Sequence, residues 1–191
     1  MPDPAICFLP LGPVPEEILT SVGTAVEQAF EQPTRILPVR ELPLSCYDTH
    51  RDQYFSTGLI KKILKWAPRD ALKVLGLTSV DLFIPVMKYL FGEAQVSGKG
   101  AIVSTFRLRP EFYGLAPDRD LYLERVAKEA VHELGHTFGL THCRDPLCVM
   151  NSSCLIGETD CKGMELCATC QELYRWVQGK GFRFPGPEWI H

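Results

Sequence analysis

No stretch of this 191-residue chain approaches eighteen consecutive apolar residues, so no membrane-spanning helix is expected. Positive charge is not in excess either. Lys and Arg number 20 against 23 Asp and Glu, a formal net charge of −3, which argues against the broad basic surface that nonspecific nucleic-acid binding requires. The opening residues Met1-Pro2-Asp3-Pro4-Ala5-Ile6-Cys7 lack the basic segment and continuous apolar run of a secretory leader, so a cytoplasmic location is expected. Histidine is scarce: the chain has five, and three of them fall between positions 132 and 142. Apolar residues are plentiful at 46%, enough for one soluble domain with a full core.

The stretch His132-Glu133-Leu134-Gly135-His136-Thr137-Phe138-Gly139-Leu140-Thr141-His142 sets three imidazoles, a carboxylate and a glycine at the spacing HExxHxxGxxH. Residues four apart on a helix share a face, so His132 and His136 can aim at one ion. Two histidines leave a tetrahedral zinc two positions short. His142 is the candidate third ligand, which keeps one position open for water. To bring it under the same ion the chain must leave the helix sharply, and Gly139 stands where a left-handed turn is needed. Glu133 projects beside the metal face and is the expected general base. Zinc lowers the pKa of a water it holds from near 16 to about 7, and a nearby carboxylate takes the proton and passes it to the leaving amine. Peptide hydrolysis is the reaction such a set performs. Two plainer readings stand beside it: fortuitous histidines on an ordinary helix, and a structural zinc closed by Cys143, which follows His142 directly.

Six of the eight cysteines crowd between 143 and 170. Cys143 and Cys148 form CxxxxC and Cys167 and Cys170 form CxxC, a zinc-ligand spacing in which four thiolates complete a tetrahedron. A thioredoxin-type redox pair would need a βαβ unit around the CxxC, and none is evident. Disulfides remain open, including one zinc plus a bridge between Cys154 and Cys161. Cys7 and Cys46 read as small buried hydrophobes. A nucleic-acid-binding zinc ribbon is disfavoured, because Arg144 and Lys162 face Asp145, Glu158, Asp160 and Glu165 in the same stretch.

The periodicity predicts a strand at 5–9, an amphipathic helix over 15–30, a strand at 35–39 and a helical region from about 57 to 75 broken at Pro68. Short β-rich runs at 80–84, 89–96 and 101–108 are expected to form adjacent antiparallel strands, with a turn at 97–100. Asp118 or Asp120 is expected to cap the helix that carries the histidines. A last helix over about 165–178 would hold the CxxC in its first turn, with Leu173, Trp176 and Val177 turned inward. The expected fold class is α+β: one domain over 1–191, an upper lobe to about 139 with a mixed β-sheet and helices, and a small lower lobe over 140–191. A peptide would lie along an exposed strand edge, with 89–96 the expected rim.

The string from His132 to His142, then Cys143, Cys148, Met150, Cys167 and Cys170, resembles the archaemetzincin family of the metzincin clan of zinc metallopeptidases. The resemblance implies a compact peptidase with two zinc ions. The catalytic ion would sit on His132, His136 and His142, above Met150 in a tight turn, and the structural ion on Cys143, Cys148, Cys167 and Cys170. The partners expected are a peptide or protein substrate, with no nucleic acid and no membrane, and the chain is expected to be a monomer. The competing reading is a non-hydrolytic zinc-binding interaction module with an idle or blocked site.

Overall fold

A computed structural model describes residues 4–180 and 188–190. The chain begins with β1 (Ala5–Leu11), a strand buried along its whole length, followed by α1 (Glu16–Phe30) and β2 (Thr34–Ile36). After β3 (Tyr47–Asp48) and β4 (Gln53–Phe55) come α2 (Ser56–Trp66) and β5 (Ala71–Thr78). Next are β6 (Leu82–Ile84), β7 (Met87–Leu90), β8 (Gly92–Val96) and β9 (Gly100–Ser104). The long helix α3 (Arg119–Thr137), the short α4 (Ile156–Cys161), α5 (Ala168–Lys180) and β10 (Glu188–Ile190) complete the order.

Six strands form one mixed sheet in the order β10-β8-β9-β5-β1-β2. Strands β9, β5, β1 and β2 run parallel, and β8 pairs antiparallel with both β9 and β10. The period-two alternation of strands divides their side chains between two cores. Ile6, Phe8, Leu75, Leu77, Ala101 and Val103 face α1 and α3, while Cys7, Leu9, Leu11, Val74 and Ile102 face Leu59, Ile60 and Ile63 of α2. The second core also receives Leu82, Ile84 and Leu90 from a smaller sheet of order β3-β4-β6-β7. Among the described residues no helix is long and apolar enough to cross a membrane.

Three expectations are corrected. The segment after Pro68 is not helical: Ala71–Thr78 is a central strand, paired on both sides and largely buried, and a short apolar run of that kind carries no period that separates strand from helix. The three β-rich runs are not one antiparallel set. The run at 89–96 is broken at Phe91, so that β7 is, among the described residues, an edge of the small sheet while β8 enters the large one. On α5 the inward residues are Cys170 and Tyr174, and Leu173 and Trp176 are exposed. Tyr174 donates its hydroxyl to Phe30 O at 2.7 Å and packs edge-on against Phe30 and Phe138, so the last helix is seated by α1 and by the end of α3.

Candidate metal centre

Helix α3 starts where Asp118 accepts a hydrogen bond from Leu121 N at 3.0 Å, an N-cap that satisfies one of the free amides of the first turn. From Arg125 onward every residue of the helix is buried, which places the His-rich turns deep against the large sheet. The helix closes with Phe138 N and Leu140 N donating back to Gly135 O, and Gly139 takes φ +94°, a conformation that a side chain would strain. Two further contacts hold this end. Ser97 N donates to His136 O at 2.9 Å, and Lys73 Nζ donates to Thr137 O at 2.5 Å and to Gly98 O at 2.6 Å, lying 4.8 Å from the centre of the Phe138 ring. Burial, with the charge of Lys99 second, pulls the Lys73 ammonium down to about 8.

The turn after Gly139 brings His142 beside the helical pair. Its ring centre lies 5.3 Å from that of His132 and 4.9 Å from that of His136, and the ligand atoms of the three histidines all fall within 4.8 Å of one another. His132 Nδ1 meets Val149 O at 2.8 Å and His136 Nδ1 meets Leu140 O at 2.7 Å. A carbonyl only accepts, so each Nδ1 carries its ring's proton and each Nε2 presents a lone pair. Those two Nε2 atoms face one another at 3.1 Å. Burial, then the charges of Lys162 and His136, holds His132 well below the usual imidazole range, and burial brings His136 to about 4. His142 is on the exposed side of the group and is lowered less deeply, again chiefly by burial.

Glu133 is buried beside the pair, and its Oε2 has no hydrogen-bond partner. Burial first and the neighbouring Glu129 second push its carboxyl well above the ordinary carboxylate range. Neutral imidazoles with converging lone pairs, next to an orphaned carboxyl oxygen, suit a divalent cation of the zinc type. A narrow cleft opens onto the group. Met87, Tyr89, Leu90, Phe91 and Gly92 form its upper wall, Glu129, His132 and Glu133 its floor, and His142 with Ser152, Ser153 and Cys154 its lower wall.

Met150 is completely buried beneath the helix, and its Sδ is so close to Gly135 that a Cβ there would meet it at 2.4 Å. The chain between His142 and Met150 is held as a closed loop. Cys143 N donates to Met150 O at 2.9 Å and Asn151 Nδ2 donates to Cys143 O at 2.9 Å. The four sulfurs of Cys143, Cys148, Cys167 and Cys170 form a second group within 4.8 Å, with Cys143 and Cys167 Sγ atoms 3.8 Å apart and no disulfide. Backbone amides of Asp145 and Cys167 donate to Cys143 Sγ at 3.4 Å and to Cys148 Sγ at 3.3 Å, while burial pushes the Cys148 thiol up. Cys154 and Cys161 are exposed, free and outside the group.

Residues 24–175 match the family described as peptidase family M54. The chain belongs to this family, the archaemetzincins. It is 40% identical over 165 residues to the archaemetzincin of Methanocaldococcus jannaschii, covering 86% of this chain and 89% of that one. To the archaemetzincin of Pyrococcus furiosus it is 38% identical over 184 residues, 93% and 95% of the two chains. The crystal structure of the archaemetzincin from Methanopyrus kandleri superposes with a TM-score of 0.83 at 36% identity, over 93% of this chain and 97% of that one. A zinc-dependent peptidase from Methanocorpusculum labreanum superposes with a TM-score of 0.81 at 29% identity, over 89% and 100%. Membership of the archaemetzincins makes the chain a zinc metallopeptidase of the metzincin type, acting on peptide or protein substrates.

Within this archaemetzincin the structure brings together every residue singled out in the sequence for the two metal groups. Gly92, Glu129 and Lys162 were not among them. Glu129 lies four residues before Glu133, so helical periodicity alone could have found it, whereas Gly92 and Lys162 arrive from distant segments with no local signal.

Proposed function

We propose that the chain hydrolyses peptide bonds at a zinc held by His132, His136 and His142, with Glu133 as general base, and that Cys143, Cys148, Cys167 and Cys170 hold a second, structural zinc. The supporting observation is the pair of imidazoles committed through Nδ1 to carbonyls while their Nε2 lone pairs face each other at 3.1 Å. Two lone pairs so placed repel unless a cation lies close to both.

Zinc bound there supplies a Lewis acid that makes a water more acidic and polarises the scissile carbonyl. Glu133 accepts the proton of the attacking water at Oε2 and returns it to the departing amine nitrogen. The buried setting of Glu133 raises its proton affinity above that of an ordinary carboxylate. Val149 O and Leu140 O fix the two ring orientations, so the imidazoles need no rearrangement before they act. The substrate adds as a further strand along the edge of β7, above the histidines.

Elemental analysis together with cleavage of a quenched-fluorescent peptide library tests this reading. Two zinc ions per chain are expected, and Glu133→Gln should retain both while turnover falls by about 10²–10⁴-fold. Equal turnover in wild type and variant, or a wild-type chain without zinc, overturns it.

A further inference from the structure

Glu129 stands one helical turn before Glu133 on α3 and lines the same cleft as His132, Glu133 and His142. Its carboxylate is held by two residues at the end of α4 and just after it. Lys162 Nζ lies 2.9 Å from Glu129 Oε1, with the two side chains only 1% and 4% exposed. The buried Thr159 hydroxyl donates to the same oxygen at 3.2 Å, and Lys162 Nζ also reaches Asn151 O, the residue after Met150, at 3.5 Å. Burying two charges costs several kcal/mol per ion before their attraction offsets it, so net stability is a poor account of this pair. Its position suggests another. Two carboxylates one turn apart on the histidine-bearing face are both attracted by a dication, and a carboxylate oxygen is an ordinary fourth ligand for zinc. Glu129 stands outside the tight histidine group.

We propose that Lys162 is a positioning residue that holds Glu129 off the metal, so that the coordination position facing the cleft stays available to water and substrate and Glu133 is the carboxylate free to act as base. Thr159 is the second tether of the same device. The inference rests on the assignment of a zinc to the histidine group. It assigns opposite duties to two glutamates of the same helix: one restrained by an ammonium and a hydroxyl, the other left with an unpartnered oxygen.

Zinc affinity of the histidine site, measured on the full chain by chelator competition and identified as the transition missing from His136→Ala, reads this without requiring turnover. In Lys162→Met the released Glu129 should reach the ion, and the site should hold zinc about tenfold more tightly or better, with altered cobalt(II) d–d bands. Lys162→Met combined with Glu129→Gln should return both readouts to wild-type values. Thr159→Val, which keeps the ion pair, should shift the affinity in the same direction by less, and it decides the matter alone if Lys162→Met does not fold. A lysine that serves only packing predicts looser zinc instead. Unchanged or weaker binding in these variants, or tightening that persists without Glu129, overturns the proposal. A wild-type histidine site that binds no zinc overturns the metal assignment itself.

Discussion

Gly92 lies directly against Glu133: a Cβ at position 92 would stand 2.6 Å from Cγ and 2.7 Å from Oε1 of the glutamate. Those atoms are buried and the glycine sits on a strand paired with β9, so neither side can yield freely. Gly92→Ala is therefore expected to displace the carboxyl by a substantial fraction of an ångström and to lower kcat by about 100-fold, with zinc content unchanged. Steady-state kinetics beside elemental analysis would check it. Full activity in the alanine variant would mean that Glu133 works from another position.

The ammonium of Lys73 gives the stability a defined pH dependence. Its pKa is lowered from 10.5 to about 8 by burial and by Lys99, so between those values the unfolded chain keeps a proton that the folded chain has released. Unfolding then takes up a proton, and stability rises with pH through the window from about 8 to 10.5, by on the order of 3 kcal/mol at most. Below pH 8 the cost of burying the charge is fully present. Lys73→Met should lack this rise, and urea denaturation of both proteins between pH 7 and 10.5 measures the difference.

Removing Met150 should be felt in stability first. The side chain is fully buried against Gly135, and Met150→Ala is expected to cost about 2–5 kcal/mol through lost burial and the cavity left behind. Met150→Leu, close in volume, should cost less than about 1.5 kcal/mol. Thermal denaturation of the zinc-loaded protein compares the two.

The four-cysteine group joins α5 to the loop that follows His142. Replacing Cys167 and Cys170 together by serine is expected to remove one zinc per chain and to lower Tm, with each kcal/mol lost worth about 2–4 °C in a chain of this size. Because Cys143 adjoins His142, the remaining zinc should also be released more readily to a chelator. Retention of both ions in the double variant would show that these thiols are not ligands.

Local chemistry was readable before any coordinates. The histidines, the glutamate, the turn at Gly139 and a helix cap at Asp118 or Asp120 each depend on residues close in sequence, and so do the two cysteine pairs. What escaped notice depends on distance along the chain. Ala71–Thr78 is a strand because β1 and β9 flank it, not because of its own period. The break at Phe91 divides one β-rich run between two sheets, which no local pattern in the run signals. Leu173 and Trp176 fit a helical stripe, yet the position of Phe30 and Phe138 turns Tyr174 inward instead. Gly92 and Lys162 owe their importance to α3, which is 41 residues away from the one and 29 from the other when counted to Glu133.

The loop from Cys143 to Asn151 is closed by Cys143 N on Met150 O and by Asn151 Nδ2 on Cys143 O. Its circumference is thereby set. An added residue would have to lift either the imidazole end or the methionine end from its seat, so this arc has a fixed contour length. Freedom to lengthen the chain begins only beyond Asn151, where Ser152 and Cys154 face solvent along the lower lip of the cleft. Divergence in what the lip admits can accumulate there without disturbing the ring behind it.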